Sequence, residues 1–178
     1  RTLDPDIYRR IRAGDFRYDI PLAPGTYQLH LHFAETGLSD MISAESSGEG
    51  QRVFRVSANG ATLLDFFDVV ADAAGVNTAN ERVFRDVSPA EDGLLHLAFS
   101  PQRGSAMISA IELLPSSPGK VHPVRIRSGW QTPWRDSAGG QWRADSYFLG
   151  GNALVRRSNP VNGSETSPPD DALFLSER

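Results

Sequence analysis

The chain has 178 residues, with 18 Lys plus Arg against 22 Asp plus Glu and a formal net charge of −4. That length suits one domain whose core buries about 70% of the surface an unfolded chain exposes, and the negative balance supplies no global positive field for nucleic acid or an anionic membrane. The absence of cysteine removes disulfides, thiol nucleophiles, zinc ribbons and iron–sulfur clusters.

The chain opens at Arg1 without a signal-peptide pattern, which leads us to expect a segment of a longer protein. Residues 26–34 give the clearest periodicity: Tyr27, Leu29, Leu31 and Phe33 face one way and Gln28, His30, His32 and Ala34 the other, a strand with one core face. Pro24-Gly25 ahead of it forms a turn. Residues 35–51 are polar and small, and read as a surface excursion. Phe54, Val56 and Ala58 then share a face over 52–58, and Asn59-Gly60 supplies a two-residue hairpin turn into Ala61–Leu64. Further strands are expected at 82–87, 94–99 and 108–114, and a loop over Ser100–Ala106. Pro115–Pro123 reads as a linker. Residues 124–154 are rich in Trp, Gly and Arg, and 156–171 are polar with three prolines, in keeping with a loop or extended segment. Short alternating runs parted by turn residues specify an all-β sandwich or barrel.

The two ends of the chain repeat one another. Residues 4–12 align without gaps on 170–178, with Asp4 on Asp170, Ile7 on Leu173, Tyr8 on Phe174 and Arg12 on Arg178.

The runs DFRYDIPLAPGTYQLHLHFAE (15–35), GQRVFRVSANG (50–60), FDVVADAAGVNTA (67–79) and ISAIELLP (108–115) resemble, in order and spacing, the carboxy-terminal two thirds of a malectin domain. The run VRIRSGWQTPWRDSAGGQWRADSYFLGG (124–151), followed by DDALFLSER, resembles the amino-terminal third of that family. The resemblance implies a jelly-roll-type β-sandwich, galactose-binding-domain-like, in circularly permuted order. One malectin-like domain over 1–178 would be assembled from 1–117, the back of one repeat, and 122–178, the front of the next, with 115–123 as linker. Closure within the chain is favoured over a swapped dimer, because the front stretch carries Trp130, Trp134 and Trp142, which must pack somewhere.

The resemblance further implies a module that binds carbohydrate through aromatic residues on loops, the founding members taking short glucose oligosaccharides. Carried over by position, the aromatic of RADSYF is Tyr147. The aromatic after the ER motif falls on Ala13, the aromatic pair after FAE on Thr36 and Gly37, and an acidic contact near Gly104. The candidate ligand-binding residues are Tyr147, kept by this carry-over, its neighbour Phe148, and Glu35 and Asp145 as polar help. Each also has a structural reading: Tyr147 and Phe148 as core aromatics beside Trp142, Glu35 as a brace for the loop after it. His30 and His32 share a strand face as metal ligands can, but no third ligand lies nearby in sequence. Asp65, Asp68 and Asp72 read as turn and cap residues rather than a calcium loop. No metal site, cofactor or catalytic residue is expected; 22 acidic residues make accidental carboxylate pairs, and no G-x-S-x-G elbow occurs.

The expected function is a non-catalytic carbohydrate-binding module of a larger multidomain protein. The alternative is a structural or protein-interaction β-sandwich repeat with a degenerate sugar site. Expected partners are an oligosaccharide and other domains of the parent chain, with neither nucleic acid nor membrane, as a monomer or swapped dimer. An extracytoplasmic setting follows from the resemblance alone.

Overall fold

A computed structural model describes residues 4–36, 48–116, 123–154 and the backbone of 155 and 162–163. A short 3-10 turn, Pro5–Tyr8, precedes β1 (Arg10–Pro21), β2 (Tyr27–Phe33), β3 (Val53–Ala58) and β4 (Ala61–Phe67). After the one-turn helix α1 (Val69–Asp72) come β5 (Thr78–Val87), β6 (Leu94–Arg103), β7 (Ala106–Ile108), β8 (Ala110–Pro115) and β9 (Val124–Arg127). The last strands are β10 (Trp134–Arg135), β11 (Gln141–Trp142), β12 (Phe148–Val155) and β13 (Asn162–Gly163). The expected all-β sandwich is what forms.

β2 shows how the sequence sets the architecture. Tyr27, Leu29, Leu31 and Phe33 are all buried in the main core, where they meet Phe16, Tyr18 and Ile20 of β1, Phe54 and Val56 of β3, and Leu95, Leu97 and Phe99 of β6. Each such side chain contributes about 1.5–3 kcal/mol by leaving water. Two sheets enclose this core: β12-β1-β6-β3-β4, with β7 also pairing β1, and β13-β5-β2-β8-β9. The pairings are antiparallel except β13, which runs parallel to β5. Asn59 and Gly60 both have positive φ, 47° and 82°, as the tight turn between β3 and β4 requires.

β1 escaped the pattern reading. Its buried apolar residues are Ile11 and Ala13, then Phe16, Tyr18 and Ile20, a switch from odd to even positions. The cause is a β-bulge between Ala13 and Phe16; one extra residue reverses the parity of every side chain beyond it. β5 and β6 also extend past their expected ends, and the expected strand 108–114 divides into β7 and β8. Asp68 caps α1 by accepting from Val70 N (2.9 Å) and Ala71 N (3.3 Å). Asp65 pairs with Arg55 and Asp72 with Arg82. Of the excursion and linker stretches, residues 37–47 and 117–122 lie outside the described residues, as does the duplicate segment 170–178.

The outer face of the second sheet is not open to solvent throughout. Ile7, Tyr8, Ala34, Ala79, Ala110 and Trp142 form a second apolar cluster, with Trp134 packed against it. Trp142 meets His32 edge-on at 5.8 Å.

Candidate functional site

The candidate residues divide between two buried ion pairs and one exposed aromatic edge. Arg12, on β1, is buried. Its Nε and Nη2 donate to Asp145 Oδ2 at 2.9 and 2.6 Å, and its Nη1 donates to the carbonyls of Gly150 (2.8 Å) and Gly151 (3.3 Å). Asp145 Oδ2 also accepts from Gly129 N at 2.6 Å, and Oδ1 accepts the Tyr18 hydroxyl at 2.7 Å. Tyr18 Oη lies 2.9 Å from Ser128 Oγ. Burial, then the Asp145 charge, holds the Tyr18 hydroxyl well above the ordinary tyrosine range, so it stays a donor. One carboxylate thus ties β1 to the loops on either side of the β10–β11 hairpin.

Phe148 begins β12 and lies on this ion pair, its ring 3.2 Å from the Arg12 guanidinium carbon and edge-on to Tyr18 at 6.2 Å. Tyr147 has a left-handed backbone with φ 64°. Its carbonyl accepts from Asp19 N at 2.7 Å and its hydroxyl from Arg143 Nη1 at 2.8 Å. Tyr147 and Phe148 are 36% and 38% exposed.

Glu35 engages a different guanidinium. Buried just after β2, it accepts from Arg52 Nε at 2.6 Å, while Arg52 Nη1 donates to Ser105 O (2.8 Å) and Ser105 Oγ (3.1 Å). The Glu35 carbonyl accepts from Asn77 N at 2.8 Å. Asp145 and Phe148 therefore meet on Arg12, whereas Glu35 clamps the end of β2 to the start of β3 and the β6–β7 connection. The sequence marks Arg12 only as a matched position of the end repeat and gives no sign of Arg52 or of either partner; long-range pairing is invisible without the fold.

Three positions to which the resemblance assigned sugar contacts have no outward side chain. Ala13 and Thr36 are buried. Gly104 has φ +68°, and a Cβ there would stand 2.7 Å from Gln51 O, closer than such atoms approach. Gly37 lies outside the described residues. His30 Nδ1 lies 2.7 Å from Glu81 Oε1, and His32 Nδ1 lies 3.4 Å from the Tyr8 hydroxyl. Among the described residues, no three His, Cys, Asp or Glu side chains are grouped to hold a metal ion.

A family model described as Malectin domain matches residues 1–111. The chain belongs to the malectin domain family. This malectin domain is similar to the Kinesin-like protein KIN-14E of Oryza sativa subsp. japonica, 36% identical over 114 residues, which is 60% of this chain and 10% of that protein. Among solved structures it resembles Bacteroides uniformis beta-glucuronidase 2, 17% identical, over 66% of this chain and 12% of the other with a TM-score of 0.51. It also resembles the ANX2 ectodomain from Arabidopsis thaliana, 15% identical, over 65% of this chain and 35% of the other with a TM-score of 0.50. At these identities the likeness is one of fold. The chain spans about a tenth of the kinesin-like relative and about a third of the ANX2 ectodomain. No helix among its described residues is long and apolar enough to cross a membrane.

Proposed function

We propose that this malectin domain is a non-catalytic carbohydrate-binding module of a larger protein, with Tyr147 and Phe148 as its sugar-facing surface. The observation that carries the reading is an exposed aromatic pair fixed from behind, by Arg12 under Phe148 and Asp19 on the Tyr147 backbone. A non-glycine residue at positive φ costs about 1–3 kcal/mol and persists where its surroundings hold it, a circumstance that favours a functional role. Aromatic faces pack against the C–H faces of pyranose rings. Asp145 and Glu35 support the site from inside, Asp145 by holding the loop ahead of Tyr147 and Glu35 by bracing the chain after β2.

The assembly belongs to the same proposal: residues 1–117 and 122–178 are the back of one repeat and the front of the next, closed within one chain across the 115–123 linker. The β1–β12 and β8–β9 ladders support closure in this form. An extracytoplasmic position completes the reading, on family grounds; a secretion signal upstream in the parent gene would be its mark.

A second reading has its own support. Buried Ala13 and Thr36, together with the closed position at Gly104, favour an interaction repeat whose sugar site has decayed. Calorimetric titration with maltose-type and other neutral oligosaccharides separates the two. Binding that weakens about tenfold or more in Tyr147→Ala, at unchanged melting temperature, supports the first; no binding at millimolar ligand overturns it and leaves the second.

A further inference from the structure

A cleft of about 740 Å³ opens beside β9 and the β10–β11 hairpin, with Arg125, Arg135, Arg143, Trp134, Gln141 and Pro133 in its walls and no acidic residue among those lining it. Three guanidinium groups thus gather at one place on a chain of net charge −4. Arg125 is ion-paired with Glu112. Arg135 Nη1 donates to the Gly139 carbonyl at 3.1 Å, and Arg143 Nη1 donates to the Tyr147 hydroxyl at 2.8 Å. Neither Arg135 nor Arg143 has a carboxylate partner among the described residues. Both are anchored on neutral acceptors, which orients the guanidinium and leaves its charge uncompensated. Asp136, between them in sequence, is occupied by Trp142 Nε1 (2.8 Å) and Gly140 N (2.6 Å).

The aromatic wall is equally fixed. Trp134 lies 4.6 Å from the guanidinium carbon of Arg127, which stands 3.7 Å from the Trp130 ring. Arg127 is buried, donates through Nη2 to the Asp6 carbonyl at 3.1 Å, and is pulled down to about 10 chiefly by burial, with Arg10 and Arg9 acting in the same direction. This stacked pile sets the indole from inside while Trp134 stays half-buried at the cleft.

A rigid indole beside two uncompensated guanidinium forks has a definite chemical complement. The indole takes an apolar ring face, a guanidinium takes a carboxylate or sulfate through paired N–H donors, and the exposed Gln141 amide can exchange hydrogen bonds with hydroxyls. We propose that this cleft binds an anionic saccharide, its pyranose against Trp134 and its acid group on Arg135 and Arg143. The inference rests on the carbohydrate reading above only in taking a sugar as what the indole receives; the site itself is separate and adjoins Tyr147 through Arg143.

The test is calorimetric titration of the whole chain with a β-1,4-linked tetrasaccharide of glucuronic acid and with cellotetraose, which differ in carboxylate against hydroxymethyl at C6. The acidic sugar should bind about tenfold more tightly or better and lose affinity as salt rises. Arg135→Gln with Arg143→Gln should abolish that preference at unchanged melting temperature, and Trp134→Leu should weaken the acidic sugar. A sulfated cellotetraose arm distinguishes the two acid groups, preference for either supporting the proposal. Equal binding of acidic and neutral sugars overturns it, as does acidic binding indifferent to the arginine substitutions, or equal binding of an oligoglutamate of the same charge. The two sites fail separately: neutral-sugar binding that Tyr147→Ala weakens, without an acidic preference that depends on the arginines, removes only this proposal, and an arginine-dependent acidic preference without neutral-sugar binding that Tyr147→Ala weakens removes only the other.

Discussion

Arg12 and Asp145 stand 133 positions apart in the chain and form a forked ion pair of 2.9 and 2.6 Å, with side chains 5% and 6% exposed. Removing one partner leaves a charge buried without its complement, which costs about 3–5 kcal/mol. Arg12→Ala and Asp145→Ala should each lose that much in urea unfolding. The double substitution Arg12→Met with Asp145→Leu should lose much less than the two singles together, because no lone charge remains. Single variants within about 1 kcal/mol of the parent would show that the pair is solvated in solution.

Gly104 is confined by backbone rather than by side chains, so relaxation is costly. Its φ of +68° and the 2.7 Å approach of a Cβ to Gln51 O predict that Gly104→Ala destabilises by about 1–3 kcal/mol. Gly104→Asp, which restores an acid at that point of the sequence, should do no better and should gain no affinity for neutral sugar. A melting temperature equal to the parent's would contradict the backbone account.

Burial pushes His32 below the ordinary histidine value of 6.5, against the raising influence of Glu81 and Glu112. The unfolded chain therefore binds the proton more readily than the folded one. The His32 contribution is present above 6.5 and is lost as pH falls from there through the lower folded value. Melting temperature should drop between about pH 7 and about pH 5, with a shallower drop in His32→Asn. His96, raised by its bond to Asp19, works in the opposite sense, but it is exposed and its weight is small. An identical slope in His32→Asn would remove the histidine from the explanation.

The β1–β12 and β8–β9 ladders lead us to expect one chain per particle. Light scattering across a wide concentration range should give the monomer mass, with a single cooperative melt. A dimer stable on dilution would mean that the same ladders form between chains.

Strand and turn chemistry was legible where one strand faces one core without interruption. β2 alternates cleanly, and Asn59-Gly60 specifies its turn by composition alone. β1 was not legible as a strand because its bulge splits the buried apolar set into Ile11 and Ala13 on one parity and Phe16, Tyr18 and Ile20 on the other. The tryptophans had to pack, but the sequence did not say that Trp142 would cover His32 on the outside of a sheet. Candidate ligand residues Asp145 and Glu35 have arginine partners inside the protein, a fact set by tertiary folding. The interleaving of Trp and Arg over 124–143 was visible as composition; the stacking of Arg127 with Trp130 and Trp134 is set by the fold.

The stretch 124–155 supplies a marginal strand to each layer, β9 to the edge of one sheet and β12 to the edge of the other. It grips the rest of the domain at two rims at once, and Arg12–Asp145 rivets it between them. A polypeptide cut between residues 116 and 123 should therefore remain a bound pair, and the two fragments, made separately, should reassemble on mixing. The domain is in that sense a two-part lock, usable as a split reporter whose signal depends on the halves meeting.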